Sequence, residues 1–83
     1  MTDLAVRIRE IRWDITEDVA NQHYLSKQQK ENAHWMVEEI YDRCQCHADW
    51  FYISCLVCDW LEELGDYEVN ETDIDNLAHA VEI

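Results

Sequence analysis

The stretch His47-Ala-Asp-Trp-Phe-Tyr-Ile-Ser-Cys-Leu-Val-Cys-Asp-Trp-Leu-Glu-Glu-Leu64, closed by Gly65, decides the fold. Its length and pattern predict one helix of about four turns over 48–64. From Trp50 to Val57 nearly every position is apolar, which predicts burial on all sides. After Cys58 the helix becomes two-faced. Ile53, Val57, Trp60, Leu61 and Leu64 share one side, and Asp59, Glu62, Glu63 and Asp66 follow the i, i+3, i+4, i+7 rule on the other. One helix thus supplies the hydrophobic centre and begins an acidic stripe. Gly65, the sole glycine, is placed to end it.

Working outward, the chain has no proline, no repeat and no linker, so long elements with short joints are expected. On the N-terminal side, Leu4, Ile8, Ile11, Ile15 and Val19 fit a helical stripe, with Thr2 as N-cap. The same segment also alternates at Val6/Ile8 and Ile11/Trp13/Ile15, as a half-buried strand would, and Thr16 could open a separate short helix. The helix is the reading adopted. Val6 and Trp13 then lie away from the main stripe, against another element or a second subunit. Ser26 with Gln29 forms a capping-box signature for a helix whose core face is Ala33, Met36, Val37, Ile40, Tyr41 and Cys44. Its other face carries Glu31, Trp35, Glu38, Glu39 and Asp42, which leaves Trp35 among carboxylates. Beyond Gly65, Tyr67 and Val69 are expected to point inward, and Thr72 to cap a last helix with Ile74, Leu77, Ala78 and Val81 inside. The fold class is all-α: one domain over 1–83, a small bundle of three to four helices around the central one.

Eighty-three residues give a thin core, but 48% hydrophobic content with four Trp and four Tyr is a generous supply for it. That content excludes the disordered class despite the charge. No apolar run is long enough to span a membrane, and the N-terminus lacks the apolar run of a signal peptide. The expectation is a reducing cytoplasm, where four cysteines do not imply disulfides. The net charge is −13, unevenly spread. All six basic residues lie in the first 43 positions, and residues 44–83 hold ten acids with no Lys or Arg. Such a surface repels nucleic acid and anionic lipid and attracts basic proteins.

Three kinds of chemistry compete with this charge as an explanation of the residues. Cys44, Cys46, Cys55 and Cys58, with His47, give C-x-C-H-x7-C-x2-C, a donor set zinc accepts. The second pair lies inside an apolar helix with no turn residue beside it, so buried packing cysteines are the favoured reading and no metal or other cofactor is expected. Asp66, Glu68, Asn70, Asp73 and Asp75 have the oxygen content of a calcium loop. However, Glu71 stands where that loop needs Gly, and Leu77 where it needs a bidentate Glu. The four histidines (His23, His34, His47 and His79) fall in no catalytic spacing, and the chain is expected not to be an enzyme.

The acidic face itself remains. Carboxylates at i, i+3 and i+4 stand about 5–6 Å apart on a helix. Phosphates of duplex DNA follow one another every ~3.4 Å of axis along a strand, and further apart through space. Rows of carboxylates on rigid helices can therefore occupy a Lys/Arg groove built for nucleic acid. The residues assigned to this face are Glu38, Glu39, Asp42, Asp59, Glu62, Glu63, Asp66, Glu68, Glu71, Asp73 and Asp75, with Trp35 as an aromatic anchor. In charge, size and helicity the acid cluster 59–75 behind the aromatic-rich helix resembles the small acidic DNA-mimic proteins of phages and mobile elements, the Ocr type of antirestriction protein and the anti-CRISPR inhibitors. The resemblance implies a nucleic-acid-binding host protein as partner, no direct nucleic-acid or membrane binding, and compatibility with a homodimer. The chain also looks like the bacteriocin immunity proteins, small acidic bundles that clamp basic toxins, although their paired-tyrosine motif is absent. A third class is an adaptor module that docks through Val6, Trp13 and Trp35.

Overall fold

Ser26 and Gln29 do what their spacing predicts. The Ser26 hydroxyl accepts the Gln29 backbone N–H, and the Gln29 side chain accepts the Ser26 N–H. The Gln29 amide also donates to the carbonyls of Leu61 and Gly65, so one side chain caps one helix and ties down the end of another. In the computed structural model, which describes residues 3–44, 49–65 and 68–82, the elements are α1 (Leu4–Gln22), α2 (Lys27–Arg43), α3 (Trp50–Leu64) and α4 (Glu71–Glu82). Among the described residues there is no strand.

α2 and α3 form the centre. α1 packs on both of them, α4 packs mainly on α2, and α1 and α4 do not meet among the described residues. Ala33, Met36, Val37 and Ile40 of α2, Ile53, Val57 and Leu61 of α3, and Ile74 of α4 are essentially sealed from water. Each large aliphatic side chain buried this way contributes about 1.5–3 kcal/mol. Leu77, Ala78 and Val81 complete the expected inner stripe of α4, and Val69 packs against the same cluster.

α1 departs from expectation. It is a single helix with Asp3, not Thr2, accepting the N–H of Ala5 at its start; Thr2 lies outside the described residues. Thr16 opens no second helix but sits mid-helix, fully buried. Of the stripe Leu4, Ile8, Ile11, Ile15 and Val19, only Ile15 and Val19 pack inward; Leu4, Ile8 and Ile11 are exposed. The contact face is Arg12, Thr16, Val19, Ala20 and His23, again at helical spacing. Small residues at 16 and 20 let α1 approach closely, and polar groups hold it. Trp50 Nε1–H reaches Thr16 Oγ1 at 2.8 Å, Ser54 Oγ lies 2.9 Å from the same oxygen, and Thr16 is 3.2 Å from the Arg12 carbonyl. The one hydroxyl proton of Thr16 goes to the carbonyl, which assigns the Ser54 proton to Thr16. That oxygen then donates once and accepts twice, and no atom of this buried set is orphaned.

Two further expectations change. α3 is not buried all round: Phe51 and Tyr52 are 51% and 53% exposed, because α3 has neighbours on its α1 and α2 sides and little cover elsewhere. Leu64 is exposed as well, at the last turn. α4 is capped by Asn70 rather than Thr72, since Asn70 Oδ1 accepts the Asp73 N–H at 3.0 Å and Asp73 accepts the Asn70 N–H at 3.2 Å. This is a capping box that starts two residues earlier than the threonine suggested. Gly65 ends α3 at φ 71°, ψ −123°, a conformation that disfavours any side chain. α1 ends in a Schellman turn, with Leu25 N–H on Ala20 O and Tyr24 N–H on Asn21 O. Tyr24 therefore holds the left-handed position at φ 56°, where glycine is usual.

Candidate partner-binding surface

The residue pairs fix how the helices run. Arg9 meets Glu38 and Trp13 meets His34, so α1 and α2 are antiparallel. Thr16 meets Ser54 and His23 meets Glu62 at nearly constant offset, so α1 and α3 are parallel. This arrangement separates the sequence-assigned acidic residues into distinct areas. Glu38 and Asp42 of α2 turn toward α1 and line one groove with it. Glu39 turns toward α4, where Arg43 bridges it at 3.5 Å to Asp75 at 2.6 Å. That pair is half neutralised and joins α2 to α4. Asp73 is committed to the α4 cap. Glu68 and Glu71 stand exposed just before and at the start of α4, and Asp66 lies outside the described residues. The oxygens proposed for a calcium loop are thus partly spent on backbone N–H groups.

Asp59, Glu62 and Glu63 are exposed on α3, as the two-faced pattern predicts. Asp59 and Glu62 converge on His23 from the end of α1, with His23 Nδ1 at 3.4 and 2.5 Å from their carboxylates. These three ligand atoms lie within 4.8 Å of one another, a nitrogen–oxygen donor set of the kind divalent ions accept. His23 Nδ1 and the Glu62 carboxylate already share a hydrogen bond there.

α1 adds a row that the sequence reading passed over. Glu10, Asp14, Glu17 and Asp18 are all exposed, and none makes an ion pair among the described residues. Their i, i+4, i+7, i+8 spacing was the available signal. At the offset set by Thr16/Ser54 and His23/Glu62, this row lies level with the first half of α3, and Asp59, Glu62 and Glu63 follow further along, beside the end of α1.

Aromatic side chains gather between α1 and α2. The Arg12 guanidinium sits 4.6 Å from the Tyr41 ring centre and 5.2 Å from that of Trp50, and it donates to Tyr41 Oη at 3.1 Å. Next to it Trp35 is 42% exposed and shares a shallow groove of about 300 Å³ with Trp13, Glu31, His34 and Glu38. Trp35 therefore is set among carboxylates as expected. Trp13, expected against another element or a second subunit, lines the same groove from α1.

The cysteines behave as packing residues where they are described. Cys58 is sealed in the core, and burial, reinforced by Cys55 and Asp59, pushes its thiol up to about 12. Burial followed by Asp59 and Asp49 raises the Cys55 thiol as well. Among the described residues Cys44, Cys55 and Cys58 do not gather into a metal-binding set; Cys46 and His47 lie outside them. No described helix is long and apolar enough to cross a membrane. No family model matches the chain, and neither a curated protein nor a solved structure does so.

Proposed function

We propose that this chain is a non-enzymatic binding protein that occupies the nucleic-acid groove of a basic partner with its acidic helical surface, in the manner of an antirestriction or anti-CRISPR inhibitor. The observation that carries the reading is the pair of carboxylate rows, Glu10/Asp14/Glu17/Asp18 on α1 and Asp59/Glu62/Glu63 on the parallel α3. They belong to a chain of net charge −13 whose Arg12 and Arg43 are engaged within the fold. The two groups follow one another along the parallel α1 and α3, so one rigid body presents an extended stretch of negative charge to a basic groove. Long-range attraction speeds docking, and salt weakens it.

Charge reversal tests this. Glu62→Lys with Glu63→Lys places two cations in the last turn of α3, where they suit the helix dipole, so the fold is expected to hold. Adding Asp14→Lys and Glu17→Lys breaks both rows. Binding to the basic partner should be abolished in the fourfold variant and only weakened in single variants. Intact binding by a folded fourfold variant would sink the proposal.

A second reading has its own observation. Leu4, Ile8 and Ile11 are exposed on one side of the first half of α1 and Val6 and Trp13 on the other, apolar area suited to an adaptor contact. Binding through that face would survive high salt.

A further inference from the structure

The groove that Trp13 and Trp35 share has a chemistry of its own. We propose that it receives the guanidinium of an arginine side chain from the partner, flat against indole and held at its edges by Glu31 and Glu38. The basic partner comes from the function proposed above; the chemistry of the groove does not depend on it.

The geometry fits that occupant. Glu31, Trp35 and Glu38 follow i, i+4, i+7 along α2, so one indole stands between two carboxylates on a single helix face. Trp13 closes the other side from α1, its ring 5.4 Å from that of His34 at 43°. Both indoles are more than two-fifths exposed, although tryptophan is a residue that normally gains by burial. The groove of about 300 Å³ is at the small end for organic ligands and is open, so it suits a side chain better than a cofactor. An anion is excluded by two carboxylates. A purely apolar guest would strip water from them without replacement.

Guanidinium is the cation that answers every part of this lining. It is planar, weakly hydrated, stacks on aromatic faces and donates in its plane to carboxylates. The fold already uses the same chemistry one turn away, where Arg12 lies over Tyr41 and Trp50. Arg9, largely exposed, approaches Glu38 at 3.9 Å from the rim, a long contact that an incoming guanidinium shares or displaces. His34 lines the groove as well, its ring set against that of Trp13.

The test follows the indole N–H signals of the four tryptophans by NMR while N-acetyl-arginine amide is titrated at constant ionic strength. Trp13 and Trp35 should shift saturably, with Trp50 and Trp60 still. Glu31→Gln with Glu38→Gln should weaken the response at least about tenfold, as should Trp35→Leu, which replaces a half-exposed side chain and spares the core. N-acetyl-lysine amide should bind more weakly. An absence of saturable shifts, or equal binding of the lysine amide, would overturn the assignment. If the probe fails while the charge-reversed variant still loses its partner, the groove inference falls alone. If the arginine amide binds while no basic partner does, the groove stands and the DNA-mimic reading falls.

Discussion

Replacing Thr16 by valine keeps shape and removes one buried oxygen. That oxygen accepts the Trp50 indole N–H and the Ser54 hydroxyl, and its own proton goes to the Arg12 carbonyl. In Thr16→Val the indole N–H has no acceptor left, and an unsatisfied buried donor costs about 1–3 kcal/mol. Ser54 can turn back to a carbonyl of its own helix, so its loss is smaller. The added methyl returns up to about 0.8 kcal/mol. The net loss is about 1–3 kcal/mol, against a total stability of roughly 4–12 kcal/mol for a domain of this size. Thermal unfolding should move down by roughly 5–20 °C. Urea unfolding followed by tryptophan fluorescence reads it directly. The double variant Thr16→Val/Ser54→Ala should lose less than the sum of the singles, by about 1 kcal/mol, because each single change already removes the shared Thr16–Ser54 hydrogen bond. A valine variant as stable as the parent, or strict additivity in the cycle, would refute the assigned hydrogen bonds.

Other outcomes follow from single features. Asn70→Ala should cost about 1 kcal/mol as a lost cap, and Thr72→Ala no more than about 0.5 kcal/mol, with equal effects arguing against the Asn70/Asp73 box. Tyr24→Gly should stabilise by about 1 kcal/mol because it frees the left-handed position of a non-glycine side chain, and destabilisation would mean that the tyrosine ring makes a contact that matters. Cys58 should resist iodoacetamide at pH 8 in the folded protein and react on unfolding, as peptide mapping would show. Its raised thiol also sets a sign: the contribution is complete below the unfolded value near 9 and declines as pH rises toward about 12, at up to ~1.4 kcal/mol per pH unit. Cys58→Ala should flatten that part of the stability curve, and an unchanged slope would argue against it.

Where the sequence was legible, side-chain chemistry and helical spacing agreed. The Ser26/Gln29 box, the inner faces of α2 and α4, and the glycine stop at 65 needed no knowledge of neighbours. Of the α1 stripe, Ile15 and Val19 pack inward as read, but Leu4, Ile8 and Ile11 do not, and Thr16 and Ala20 complete the contact face. A buried threonine looks like a surface or cap residue until the indole and serine that satisfy it are known, and these lie 34 and 38 positions away. Phe51 and Tyr52 were placed inside because hydrophobicity reports preference and not how many neighbours a small bundle supplies. The assigned acidic residues were largely found at the surface, but one continuous face was not legible. Glu38 and Glu39 are adjacent in sequence yet turn to α1 and α4 respectively. The pairing of Trp13 with Trp35 likewise depends on antiparallel packing that no local pattern encodes.

The central claim is that the acidic helical surface competes with nucleic acid for a basic protein. Its most direct measurement is capture of that protein on the immobilised chain at about 50 mM salt, with parallel elution by duplex DNA and by a step to about 500 mM salt. The account predicts a nucleic-acid-binding protein released by both. A partner that stays bound at high salt and ignores DNA would contradict it and favour a contact through the exposed apolar half of α1.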